Sequence, residues 1–119
     1  MNSVEILDGA IECIKRGWTQ GSLAEDSDGN CVPPDDDKAC SWCISGALIK
    51  ASSERFSPEW DFLNASTEIV EATSALLRLT RGPSLVMWND AKGRKKYEVI
   101  KKIERARDME KIRKEFSAS

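Results

Sequence analysis

Four cysteines, Cys13, Cys31, Cys40 and Cys43, are the residue types best suited to chemistry in this chain. Four thiols are the number that closes a tetrahedral zinc site, and Cys40-x-x-Cys43 has the spacing of one half of such a site. The second half is missing, because Cys13 and Cys31 stand far apart in sequence. Buried free cysteine also serves well as a small hydrophobe, so the expectation is thiols without metal and without cofactor. A catalytic Cys43 would need a base, and the chain has no histidine. Asp26-Ser27-Asp28-Gly29-Asn30 echoes part of a calcium loop. Ala24 falls at the first ligand position and Asp35 replaces the usual glutamate, so a solvated Asp-Gly turn is expected instead. Any enzyme here would have to rely on carboxylates, and a protein that is not an enzyme is the preferred of the two readings.

Two clusters set an indole among polar groups: Gly17-Trp18-Thr19-Gln20-Gly21 and Trp88-Asn89-Asp90-Ala91-Lys92-Gly93-Arg94. An aromatic platform with a few aimed polar groups is what a small-ligand pocket requires. Trp18, Gln20, Trp88, Asn89, Asp90 and Arg94 are therefore the candidate ligand-binding residues, for a nucleotide-like molecule. The competing structural reading has Asn89 and Asp90 capping a helix, Asp90 pairing with Arg94, and the indoles in the core. It is the preferred one of the two. A third cluster is Trp42-Cys43-Ile44-Ser45-Gly46-Ala47-Leu48.

In order and spacing, the three clusters resemble a family of small bacterial and bacteriophage proteins, common in actinobacteria and their phages. That family is known only as a domain of unknown function. The resemblance covers about Ala10 to Ala106. It implies a compact, mainly helical intracellular protein, often carried on mobile elements, and it brings no activity with it. Three features depart from the pattern: Lys95 stands where a capping threonine is usual, Cys31 and Cys40 are extra, and the basic tail after Arg107 extends beyond it.

The elements that must position these clusters read as helices. Ser3 to Arg16 places Val4, Leu7, Ile11 and Ile14 on one face, with Ser3 as N-cap and Gly17 as the stop. Asp28-Gly29 between Leu23-Ala24 and Cys31-Val32 permits a short β-hairpin around residues 23–32. A second helix is expected over Asp36–Ala51, with Ala39, Trp42, Cys43, Gly46 and Ala47 inward and another helix crossing closely at Gly46. Ser57-Pro58-Glu59 reads as the start of a further helical piece backed by Trp60. A third main helix follows over Ser66–Thr80, with Ile69, Val70, Thr73, Leu76 and Leu77 inward and Gly82-Pro83 ending it. Ser84–Trp88 fits one helical turn capped by Ser84, or a short strand. The last helix spans about Lys95–Phe116. The predicted fold class is all-α: a compact domain of four to five helices.

Charge is laid unevenly along the chain. Residues 1–91 hold seven Lys/Arg against fifteen Asp/Glu, a net −8, and residues 92–119 hold eleven against five, a net +6. A basic tail on an acidic body can mean nucleic-acid contact, but no aromatic residues interleave the basic ones for base stacking. Contact of the tail with its own acidic body, or a neighbour's, is the preferred reading. In the last helix Val99, Ile103 and Ala106 form one stripe, which would next meet Glu110 and Arg113. Met109, Ile112 and Phe116 lie out of phase with it at 100° per residue. Residues 1–106 thus read as one domain and 107–119 as a basic amphipathic tail continuing the helix. Arg105, Met109, Ile112, Arg113 and Phe116 are the candidate partner-binding residues.

The functional expectation is a non-catalytic interaction protein, phage- or prophage-associated, binding a host or phage macromolecule in an anti-defence or regulatory role. Its expected partner is a protein or a second copy, met through the C-terminal helix. A small-molecule binder is the alternative, and an enzyme of unknown type comes third. No apolar run approaches the roughly 20 residues that span a bilayer, so no membrane partner is expected. The N-terminal acids Glu5, Asp8 and Glu12 are unlike a targeting peptide, which points to the cytoplasm.

Overall fold

The computed structural model describes residues 3–54 and 62–118. In chain order these form α1 (Ser3–Arg16), β1 (Ala24–Glu25), β2 (Ser41–Trp42), α2 (Ile44–Glu54), α3 (Phe62–Thr80), α4 (Leu85–Asn89) and α5 (Lys96–Ala118). The mainly helical architecture is as predicted, with one small antiparallel sheet of β1 and β2. The reading of Ser57–Trp60 lies outside the described residues.

α1 is the central helix. Its buried face is broader than one stripe, holding Ile6, Leu7, Ala10, Ile11, Cys13 and Ile14, because α2, α3 and α5 all pack on it. Gly9 lets α2 in: a Cβ there would sit 2.8 Å from the Ala51 Cβ. α5 runs antiparallel to α1, so that Lys96 Nζ donates to the Lys15 carbonyl at one end and Ser3 Oγ donates to Glu110 at the other. Ser3 is the first residue of α1, and its hydroxyl serves this long-range bond.

The predicted helix over Asp36–Ala51 begins only at Ile44. Asp36, the expected first residue of that helix, makes a turn instead, since its carboxylate accepts the Lys38 N–H and its carbonyl accepts the Ala39 N–H. The chain from Cys40 to Cys43 then pairs its backbone with other segments. Cys40 N–H donates to the Glu25 carbonyl, Trp42 N–H to Gly17 and Cys43 N–H to Leu23. Those bonds satisfy groups that a helix would otherwise have satisfied. Ala39, Trp42, Cys43, Gly46 and Ala47 are all buried as expected, although they belong to a turn, a strand and a helix in succession. The close crossing at Gly46 also exists. Its partner is the Leu23 carbonyl rather than a helix.

The turn at Asp28-Gly29 forms, with Gly29 at φ +84 and the Asp26 carboxylate accepting the N–H groups of Asp28 and Asn30. Those two bonds hold the Asp26 carboxyl below its ordinary pKa, Asn30 contributing most. Cys31 bridges Glu25 on one side while Ser41 pairs with it on the other, so the sheet's second strand is β2 rather than residues 31–32.

α3 begins earlier than predicted and ends at Thr80 as predicted. Ala72, Ala75 and Leu76 are buried, Ile69 and Leu77 pack against the core from its edge, and Val70 is exposed, contrary to its expected inward place. Val70 falls on the groove side of α3, beside Glu71 and Arg113. Arg81 takes the left-handed turn (φ 57) after α3. Ser84 caps α4, its Oγ accepting the Met87 N–H, which resolves Ser84–Trp88 as a helical turn.

Candidate functional site

The structure gathers the dispersed polar set from the two tryptophan clusters into one place. Asn89 ends α4 and is fully buried. Its Oδ1 accepts from Trp18 Nε1 (2.8 Å) and from the Ile44 backbone N–H (2.9 Å). Its Nδ2 donates to the Thr19 carbonyl (3.0 Å) and to Asp90 Oδ1 (2.9 Å). An amide side chain has two acceptor and two donor positions, and all four are used. Gln20 Nε2 donates to the carbonyls of Asn89 and Ala91, and Asp90 Oδ1 accepts the Gly21 N–H. The segments 18–21 and 88–91 are thereby clasped together.

The Ile44 N–H is an orphan donor of the first turn of α2, so Asn89 caps a helix other than its own. Cys43 supplies the next contact: its Sγ accepts the Gly46 N–H at 3.3 Å. Burial pushes the Cys43 thiol pKa up, which keeps it protonated and inert. Cys13 is likewise buried, whereas Cys31 and Cys40 are exposed. Among the described residues no three His, Cys, Asp or Glu side chains cluster closely enough to hold a metal ion.

Arg94 completes the clasp differently from the predicted Asp90 pairing. Its Nε donates to the Trp88 carbonyl, its guanidinium lies 4.0 Å from the centroid of the Trp88 ring, and Glu98 is its carboxylate neighbour at 3.6 Å. Lys102 approaches the same ring at 5.9 Å. Trp18, Gln20, Trp88, Asn89, Asp90 and Arg94 therefore meet as the sequence suggested. Thr19 and Ile44 join them through a carbonyl and an N–H that sequence reasoning missed, since no residue type announces a backbone group.

The partner-binding candidates lie on α5. Arg105, Met109, Ile112 and Phe116 are exposed, the last three at 46%, 53% and 78%. Arg113 is turned toward its own molecule: it donates to Glu110 through Nε (2.7 Å) and Nη2 (3.1 Å) and reaches Glu71 at 3.4 Å. Glu110 is only 2% exposed and sits where the Val99–Ile103–Ala106 stripe would continue. Hydrogen bonds from Arg113, with a further one from Ser3, hold its carboxyl below the ordinary range. Lys114 meets Glu71 and Arg107 meets Asp8. Much of the tail's charge is thus neutralised by the acidic body. A groove of about 210 Å³ between α3 and α5 is lined by Val70, Glu71, Ser74, Arg78, Glu110 and Arg113.

A model of a family of unknown function, DUF6197, matches residues 1–109. The chain belongs to that family. No curated protein and no solved structure matches it. The DUF6197 match contains the whole clasp and stops within α5, so Ile112, Arg113 and Phe116 lie beyond it. No helix among the described residues is long and apolar enough to cross a membrane.

Proposed function

We propose that this DUF6197 protein is a non-catalytic interaction protein, carried by a phage or prophage and working in the cytoplasm, that binds a host or phage macromolecule through the outward face of α5. The observation that carries this reading is the exposure of Met109, Ile112 and Phe116 on one side of a helix whose opposite side is in the core. Each such side chain forgoes roughly 1.5–3 kcal/mol relative to full burial. A contiguous apolar patch retained at that cost marks an interaction site. Free thiols fit a reducing compartment, and the resemblance of the three clusters to phage proteins supports the mobile-element setting and an anti-defence or regulatory role. The small-molecule alternative has less behind it, because the Asn89 amide has no hydrogen-bonding position left for a ligand.

A photo-crosslinking amino acid at position 112, irradiated in the cells that carry the gene, tests the proposal. A discrete adduct is expected there and none from the same probe at exposed Asp28. Absence of any adduct at position 112 would refute the reading.

A further inference from the structure

The outward face of α5 carries two kinds of side chain in sequence. Lys102, Arg105, Met109, Ile112 and Phe116 follow one another in alternating steps of three and four, the spacing of a heptad seam. Its first half is basic and its second half apolar. Lys101 flanks the basic half and is exposed.

The basic half differs from those cations near it that reach a carboxylate. Arg94, Arg107, Arg113 and Lys114 each have a carboxylate within 4.0 Å. Among the described residues Lys101, Lys102 and Arg105 have none, and Lys102 has only the Trp88 ring. Other cations, among them Lys96 and Lys111, likewise have no carboxylate within 4.0 Å among the described residues; Lys102 and Arg105 are set apart by lying on the seam.

A second copy fits this seam poorly in either direction. Parallel pairing would set Lys102 on Lys102 and Arg105 on Arg105. Antiparallel pairing that overlays Met109 on Ile112 would bring Asp108 beside Glu115 at the flanking positions. Like charges placed directly opposite one another are destabilising, and such contacts act to exclude the wrong partner.

We infer that the seam takes a foreign amphipathic helix with apolar residues opposite Met109, Ile112 and Phe116 and carboxylates opposite Lys102 and Arg105. This inference rests on the proposed role of α5 and names the chemistry of the partner. The acidic half of that helix supplies the counter-charges that the body of the protein does not reach. The apolar half covers the three exposed side chains. Residues 110–119 lie outside the DUF6197 match, so most of the apolar half of the seam falls beyond the matched segment.

The test uses the full-length chain and a labelled synthetic helical peptide. The peptide carries leucine at the positions facing Met109, Ile112 and Phe116 and glutamate at those facing Lys102 and Arg105. A control peptide has lysine in place of the glutamates. Fluorescence anisotropy should show the acidic peptide binding at least about tenfold more tightly than the control, with the preference shrinking as salt rises. Arg105→Glu should erase the preference, and Ile112→Asp should abolish binding while the far-ultraviolet circular dichroism stays unchanged. Equal binding of the two peptides overturns the inference. So does a sedimenting dimer of the chain alone that Ile112→Asp dissolves, since the occupant would then be a second copy. Binding to phosphatidylglycerol vesicles or duplex DNA that needs Arg105 and Ile112, with the acidic peptide left unbound, overturns it as well. A crosslinked adduct at position 112 without charge-selective peptide binding would sink this inference and leave the proposed function standing.

Discussion

Asn89 joins three segments through one amide, and the consequence is an unusually exposed point of failure at a single residue. Replacing it with alanine strands the Trp18 indole N–H, the Ile44 N–H and the Thr19 carbonyl, which it now serves. A buried group left unmatched costs about 1–3 kcal/mol. Asn89→Ala is therefore expected to lower stability by about 3 kcal/mol or more, read from the denaturant midpoint. Asn89→Asp is a finer probe, because it keeps the acceptor and replaces the donor by an oxygen facing the Thr19 carbonyl and Asp90 Oδ1. Burial and the Asp90 charge would raise the new carboxyl's pKa in the folded state, so the damage should be greatest at neutral pH and should lessen as the pH falls. A loss that is the same at pH 7 and pH 5 would show that the aspartate is solvated and the clasp opened. Trp18, Gln20, Asn89, Asp90 and Arg94 were legible in the sequence because aromatic, amide and charged residues are conspicuous. That Asn89 caps a helix was readable too; which helix was not, since that depends on backbone groups of Thr19 and Ile44 brought from elsewhere in the chain.

The elements show where local signals are enough and where they are overridden. α1 follows its apolar spacing from Ser3 to Arg16, with Leu7, Ile11 and Ile14 buried, although Val4 is only half-buried. Residues 36–43 do not, because Gly17, Leu23 and Glu25 offer backbone partners that a helical reading of the aspartates ignores. The absence of a side chain at Gly46 was readable as a close approach, while the identity of what approaches was not. Gly46→Ala is expected to force the Leu23 carbonyl aside and to destabilise by roughly 1–3 kcal/mol or more. An unchanged melting temperature would mean that the segment around Leu23 moves freely. At the start of α5, Lys95 has half of a capping box: its N–H donates to Glu98 Oε1 at 2.9 Å and its carbonyl accepts the Glu98 N–H at 3.0 Å, but its side chain offers no acceptor to the first-turn N–H groups. Lys95→Thr supplies that acceptor. It should raise stability by about 1 kcal/mol, and a melting temperature that falls would place the helix start elsewhere.

On the scale of the whole molecule, the division between an acidic body and a basic end is resolved by contact along α5. Ser3, Asp8 and Glu71 meet Glu110, Arg107, Arg113 and Lys114, so the last helix is tied to both α1 and α3. The sequence made this contact readable as a balance of charge. It did not reveal that Glu110 would be buried in line with the apolar stripe, because a lone glutamate at that angle reads as the end of the buried face. Its acceptance there depends on Arg113 one turn on and on Ser3 from the other end of the chain. The carboxyl's folded-state pKa is lowered, chiefly by the Arg113 hydrogen bonds. A lowered folded-state pKa stabilises the protein fully above the ordinary carboxylate range and loses that contribution as the pH falls through the folded value. Glu110→Gln should therefore be less stable than the natural chain near neutrality, by about 1–3 kcal/mol. The difference should close on acidification below the ordinary carboxylate range, because the natural glutamate is then neutral too. Removing residues after Arg107 eliminates the same contact but keeps Val99, Ile103 and Ala106 in the core. The shortened chain should fold with a reduced melting temperature and should have lost the acid-dependent component that Glu110 supplies. Thermal melts of the natural chain, Glu110→Gln and the shortened chain across acidic pH would decide between these outcomes. A shortened chain that fails to fold would make residues 108–119 part of the core, and a gap between natural chain and Glu110→Gln that persists in acid would remove the Arg113-paired charge as its cause.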